Sequence, residues 1–157
     1  MITGIHAEQI PQHPVQAGRV MTRDTGERMR VLLADDCRHG RRLLTGLLLK
    51  WGIVPTLAGN GEQAVLLTQR RNFDLVIMDI LLPGMDGVVA TAKIRQFERE
   101  NLLERPVPIV AYSALDLGAV KAPLEHAGVT AVLYKPCSSS SLQNCLAFCC
   151  PGRRFLS

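Results

Sequence analysis

Five apolar runs alternate along the chain with five stretches of helical spacing. Val31–Ala34, Leu75–Met78, Ile109–Ser113 and Ala131–Tyr134 lack the polar alternation of a half-exposed strand and carry β-branched residues, the pattern of strands covered on both faces. The remaining run, Ile53–Ala58, contains Pro55, whose missing N–H bars it from the middle of a sheet and assigns it to an edge. Between the runs, Leu43, Leu44, Leu47 and Leu48 recur with helical spacing until Gly52. Asn60-Gly61-Glu62-Gln63 has the form of an N-cap and capping box, and the helix it starts reaches about Arg71. A third helix is predicted from Val88 to about Glu100, with Val89, Ile94 and Phe97 on its buried side. A fourth runs from Leu115 to His126, where Gly118 and Pro123 weaken the pattern, and a fifth from about Ser139 to Cys149, stopped by Pro151-Gly152.

Strands alternating with helices in this way predict a flavodoxin-like (βα)5 fold, a doubly wound parallel sheet with helices on both faces. Strand order 2-1-3-4-5, common in such sheets, leaves strand two on the edge that Pro55 requires and makes strands one and three neighbours. The order has a chemical consequence. Asp35-Asp36 follows strand one, Asp79 sits where strand three emerges, Ser113 ends strand four and Lys135 follows strand five. All would meet at the carboxyl edge. Pro83, Gly84 and Gly87 turn the chain sharply after Asp79, so that carboxylate stands on a rigid strand end at the mouth of a loop.

Composition narrows the picture in three places. The chain has 157 residues, enough for one domain with a real core, and its hydrophobic and charged fractions, 47% and 20%, are ordinary for a globular protein. No apolar run approaches the roughly 20 residues of a membrane span, and the N-terminus lacks the apolar core of a signal peptide, which predicts a cytoplasmic protein that does not engage a membrane. The formal net charge of +4 would permit nucleic-acid contact, but Arg41-Arg42, Arg70-Arg71 and Arg153-Arg154 are scattered pairs, which read as solvated surface.

Five cysteines are an odd number without a Cys-x-x-Cys metal pair. Cys145 and Cys149 share a helical face with Leu142 and Leu146 and read as core; Cys150 falls off that stripe toward the surface, and Cys37 and Cys137 follow strand ends where a thiol meets solvent. Residues 1–29 show no sustained period and read as a flexible or loosely packed extension, with a turn of helix in Val15–Met21; residues 30–150 form the domain and 151–157 a short tail.

Three carboxylates brought within a few ångströms repel one another unless a cation sits between them or one keeps a proton. Mg²⁺, or Mn²⁺ in its place, resolves the repulsion with oxygen ligands, and commonly sits between carboxylates and a substrate phosphate. Asp79 is assigned as nucleophile, since an aspartate oxygen accepts a phosphoryl group as an acyl phosphate. The transfer asks mainly for placement and neutralised charge: the metal at one phosphoryl oxygen, Lys135 at a second, Ser113 and loop N–H groups at the third. Each piece alone has a plainer use, as helix cap or surface lysine. Their joint occurrence on one sheet edge favours chemistry.

Over about residues 30–150 the chain resembles the receiver domains of two-component response regulators. Its matching features are Asp35-Asp36, the Asp79 segment with Pro83-Gly84-Met85-Asp86-Gly87, Ser113-Ala114 and Lys135-Pro136. The resemblance implies that Asp79 takes phosphate from a phosphohistidine on a sensor histidine kinase or histidine phosphotransfer protein. It implies a metal held by Asp36 and Asp79 directly, by Asp35 through water and by the Leu81 backbone carbonyl. It further implies a Ser113 that moves toward the phosphoryl group, an inward-turning aromatic on strand five and a cis Lys135-Pro136 bond. The chain departs from the family pattern at that aromatic: Val132 stands three residues before the lysine, with Tyr134 beside it instead. Leu81 and Leu115, two residues beyond Asp79 and Ser113, would hinder water and lengthen the life of the acyl phosphate.

Only a handful of residues follow the last predicted helix, which leaves no room in this chain for a C-terminal DNA-binding domain. A stand-alone switch or relay carrier acting through an unknown downstream protein, the receiver portion of a hybrid sensor kinase, a scaffold that no longer uses phosphate and an aspartate-nucleophile phosphatase are the readings in play. The last expects a second acid two residues after the nucleophile, where this chain has Leu81. Self-phosphorylation rather than turnover catalysis is therefore expected; pairing into a homodimer is left open.

Overall fold

The structure, a computed structural model, describes residues 28–114 and 117–153. The expected extension over 1–29, with its turn at Val15–Met21, lies outside the described residues apart from its last two, and so does Leu115. The elements run β1 (Val31–Ala34), α1 (Arg38–Leu49), β2 (Thr56–Ala58), α2 (Gly61–Arg70), β3 (Leu75–Asp79), α3 (Gly87–Glu100), β4 (Ile109–Ser113), α4 (Leu117–Ala127), β5 (Ala131–Tyr134) and α5 (Ser139–Cys149). All sheet pairings are parallel, in the order β2-β1-β3-β4-β5, so the flavodoxin-like topology expected from the periodicities is the one observed. None of the described helices is long and apolar enough to cross a membrane.

Alternation along the strands divides the core. Val31, Leu33, Leu75, Ile77, Val110, Tyr112, Ala131 and Leu133 pack on one face with Leu44 and Leu48 of α1 and Leu142, Cys145 and Leu146 of α5. Leu32, Ala34, Val76, Met78 and Ile109 pack on the other with Ala64, Ala90 and Ile94 of α2 and α3, and Ala111 and Val132 with Leu124 of α4. The strands are buried from end to end apart from β2 and the last residue of β5, as their apolar sequences require.

Several local expectations are corrected. The run from Ile53 forms ladder only at Thr56–Ala58, because Pro55 cannot donate and the pairing begins after it. On α3 Ile94 is buried, but Val89 is 44% exposed and Phe97 only half buried; the helix starts at Gly87, and this phase turns Ala90, Thr91 and Glu98 inward. Cys137 and Cys150 are both buried, the first in the core under α5, the second donating its thiol to the Asp74 carbonyl at 3.4 Å. The capping box on α2 is displaced by one residue: Asn60 accepts from the Gln63 N–H, while Gln63 Oε1 accepts from Gly59 rather than Asn60. Among the described residues the fourth helix covers Leu117–Ala127, with Pro123 inside it.

Candidate functional site

The site follows from strand parity. Side chains alternate, so Asp35 continues the face of Val31 and Leu33, Asp79 that of Leu75 and Ile77, and Lys135 that of Ala131 and Leu133. β1, β3, β4 and β5 end level with one another, Ala34 opposite Met78, Asp79 opposite Tyr112 and Ser113 opposite Tyr134. Asp35, Asp79 and Lys135 therefore rise from one side of the sheet at its carboxyl edge. Asp36, turned by the chain after β1, joins them from the solvent side.

The predicted residues meet. Lys135 Nζ lies 2.6 Å from Asp79 Oδ2 and 3.7 Å from Asp35 Oδ2. The Leu81 N–H donates to Asp79 Oδ1 at 3.0 Å, so both oxygens of that carboxylate are engaged. Asp35 uses Oδ1 to accept the Cys37 N–H at 2.8 Å, the cap-like role open to an acid before a helix. Its Oδ2 is buried and, among the described residues, has no hydrogen-bond partner. One oxygen from each of Asp35, Asp36 and Asp79 lies within 4.8 Å of the others. Burial raises the Asp79 carboxyl above its ordinary value of 3.8, and the Lys135 ammonium and Leu81 N–H pull it back down without cancelling the rise.

A hard divalent cation fits this donor set. The ligand atoms are all carboxylate oxygens, they converge, and a buried oxygen is left over that only a cation, a proton or water could answer.

The turn after Asp79 is fixed by close approach. A Cβ on Gly87 would collide with the Asp79 carbonyl oxygen, so α3 can start directly beneath the site only with glycine there. The Gly87 N–H donates to the Ile80 carbonyl at 2.9 Å, and Asp86 caps α3 by accepting from Val89 at 2.8 Å. Gly61 at the start of α2 packs just as closely against the Met85 carbonyl oxygen. Leu81, between these anchors, is 63% exposed over the site.

Ser113 is buried at the end of β4, where its carbonyl accepts the Lys135 N–H at 2.8 Å; parity sets its side chain on the opposite face from Tyr112. The Lys135-Pro136 bond is cis, as the resemblance implied. Val132 is buried in the cluster under α4, and Tyr134, two residues on along the same face, packs against that cluster.

The sequence reading missed Tyr112. This residue is fully buried, and its ring centroid lies 4.7 Å from Lys135 Nζ. Burial pushes its phenol well above the ordinary range, so the hydroxyl stays protonated. The available signal was one aromatic in an otherwise small and aliphatic strand, immediately before Ser113.

Comparison with known proteins matches the same stretch. A family model described as response regulator receiver domain matches residues 31–147. The chain is 39% identical over 113 residues to the sensor histidine kinase GacS of Pseudomonas protegens, an alignment covering 72% of this chain and 12% of that protein. It thus spans a small fraction of the length of the curated relatives it matches. Among solved structures, the receiver domain of a sensor histidine kinase from Pseudomonas aeruginosa, with magnesium ion coordinated in its active site cleft, is 31% identical with a TM-score of 0.70, covering 78% of this chain and 97% of that one. A co-crystal structure of the Saccharomyces cerevisiae histidine phosphotransfer protein Ypd1 with the receiver domain of its downstream response regulator Ssk1 matches at 29% identity and a TM-score of 0.72, covering 76% and 87%.

Proposed function

The chain belongs to the response regulator receiver family, and on that premise we propose that it is a phosphoacceptor whose Asp79 takes a phosphoryl group from a phosphohistidine of a partner protein. The observation that carries the reading is the convergence of Asp35, Asp36 and Asp79 beside a lysine already in contact with the reacting carboxylate.

In the transfer an Asp79 oxygen attacks phosphorus, the new O–P bond forms as the N–P bond of the ring-protonated phosphohistidine breaks, and imidazole leaves neutral with the proton its other nitrogen already carried. Lys135 moves its ammonium from Asp79 Oδ2 to a phosphoryl oxygen, a short displacement for a flexible stem. The Leu81 N–H, released from Asp79 Oδ1, and the Ser113 hydroxyl supply donors to the remaining oxygens. Asp35, Asp36 and Asp79, with the Leu81 backbone carbonyl, would hold Mg²⁺ or Mn²⁺, which neutralises developing phosphoryl charge when bound. Transfer moves the negative charge from the Asp79 carboxylate to the phosphoryl oxygens, and Lys135, following it, would reorganise the ends of β4 and β5. That rearrangement gives downstream proteins a state to read.

The donor is a sensor histidine kinase or a histidine phosphotransfer protein. A relay role inside a hybrid sensor kinase is favoured by one observation: the GacS and BarA relatives align over 12–13% of their own lengths with 72–79% of this chain, so the segment they share is a single receiver module of a longer kinase.

Borohydride reduction of the phosphorylated protein tests the assignment of the acceptor, because an acyl phosphate is reduced to the alcohol and an unmodified carboxylate is not. Peptide mapping should find homoserine at position 79. Homoserine at 35 or 36 instead would reassign the acceptor.

A further inference from the structure

Lys135 has a third neighbour besides the two carboxylates. The ring of Tyr112 lies beneath its ammonium, 4.7 Å from centroid to Nζ. Tyr112 is paired with Asp79 on one side and Leu133 on the other, so the ring occupies the column between the nucleophile and the strand that carries the lysine. The ring shares its core cluster with Cys137, two residues beyond Lys135. Every other buried member of this core cluster is aliphatic or carries sulfur.

Packing alone does not call for a tyrosine here. A fully buried tyrosine needs a partner for its hydroxyl, and a leucine would fill an aliphatic layer without one. What the aromatic adds is a negative face for a cation that is itself partly exposed, 26% at the side chain, and free to leave the carboxylates for water.

We propose that Tyr112 is the positioning residue for Lys135: its ring keeps the ammonium over the Asp79 carboxylate and, after transfer, beside the phosphoryl oxygens. The inference rests on the reading of Asp79 as phosphoacceptor. Tyr112 makes and breaks no bond in the reaction and acts only through the lysine. Replacing the ring with an aliphatic side chain lets the ammonium spread between Asp35, Asp79 and solvent, which slows phosphoryl transfer.

The test is the initial rate of Asp79 phosphorylation by acetyl phosphate with Mg²⁺, compared among wild type, Tyr112→Phe and Tyr112→Leu, each with and without Lys135→Met. Tyr112→Phe keeps the ring and stays within about twofold of wild type, while Tyr112→Leu falls about fivefold or more, the range of a partly desolvated cation–π contact. In the Lys135→Met background Tyr112→Leu makes no further difference, because the group it positions is gone. Should Tyr112→Leu fail to fold, a series of fluorinated phenylalanines at 112 keeps the volume and weakens the ring face stepwise, and the rate falls with it. A Tyr112→Phe rate as low as that of Tyr112→Leu, a loss that persists in Lys135→Met, or a flat fluorination series overturns the proposal. Wild type that takes no phosphoryl group would defeat the phosphoacceptor reading instead, and wild type that is phosphorylated with indifferent Tyr112 variants would defeat this inference alone.

Discussion

The Lys135 ammonium stands 2.6 Å from Asp79 Oδ2 and 3.7 Å from Asp35 Oδ2, so one cation answers two buried carboxylates. Removing it leaves both charges facing each other in a medium that screens them poorly. Lys135→Met should therefore lower stability in EDTA by about 1–2 kcal/mol, less than the 3–5 kcal/mol of a fully buried pair because the lysine is partly exposed. Addition of Mg²⁺ should recover part of the loss by binding only the folded state. Calorimetry with and without EDTA checks both halves; an unchanged midpoint in EDTA would mean that the acids do not strain the fold.

Asp79 itself gives a pH signature. Burial raises its carboxyl above 3.8 in the folded protein, so between the unfolded and folded values the folded state holds the proton that the unfolded chain has lost. Stability from this residue is then greatest below the unfolded value and declines as pH rises through the folded one. In metal-free buffer Asp79→Asn should raise the melting midpoint at neutral pH. The gain should shrink as pH falls toward 3.8. A gain independent of pH would assign the effect to something other than the carboxylate charge.

Gly87 is a backbone requirement. Its α-carbon faces the Asp79 carbonyl at a distance that admits no Cβ, and moving α3 to make room would also disturb the Ile80–Gly87 hydrogen bond. Gly87→Ala should cost about 1–3 kcal/mol, the usual penalty of overpacking, and should slow phosphorylation more than an equally destabilising change elsewhere. Urea denaturation with a phosphorylation time course measures the two effects side by side. Wild-type behaviour in both would show that the turn yields cheaply.

Leu81 stands exposed at the mouth of the site, two residues past Asp79, the proposed nucleophile. On the proposed mechanism a bulky apolar group there would obstruct the water attacking the acyl phosphate in line, whereas an amide would orient it. Leu81→Asn should shorten the phosphoryl lifetime several-fold without changing the rate of its formation. Decay of the phosphorylated protein after donor removal is the measurement, and equal half-lives would exclude Leu81 as a barrier.

Most of the site was legible in sequence because fully buried strands impose a near-continuous apolar pattern, and Pro55 alone was enough to place the edge. Once the order is set, parity delivers Asp35, Asp79 and Lys135 to one side without further information. Exposure was harder to read. Val89 and Cys150 were placed wrongly because the phase of a helix depends on where it starts and on what its end packs against: Gly87 starts α3, and the Asp74 carbonyl receives the Cys150 thiol. The second of these is a contact between residues 76 positions apart in the chain. Tyr112 escaped because a tyrosine in a strand is ordinary, and only the register with Asp79 and the approach of Lys135 give it a role. The tight fit of Gly87 was hidden likewise, since a glycine after a turn looks like punctuation until the Asp79 carbonyl is seen against it.

The central claim is that Asp79 becomes covalently phosphorylated with the help of a divalent ion, and intact mass spectrometry after exposure to acetyl phosphate tests it most directly. Wild type with Mg²⁺ should gain the mass of one phosphoryl group, and neither wild type in EDTA nor Asp79→Asn with Mg²⁺ should gain it at a comparable rate. An unmodified wild-type mass, or the same gain in Asp79→Asn, would contradict the assignment.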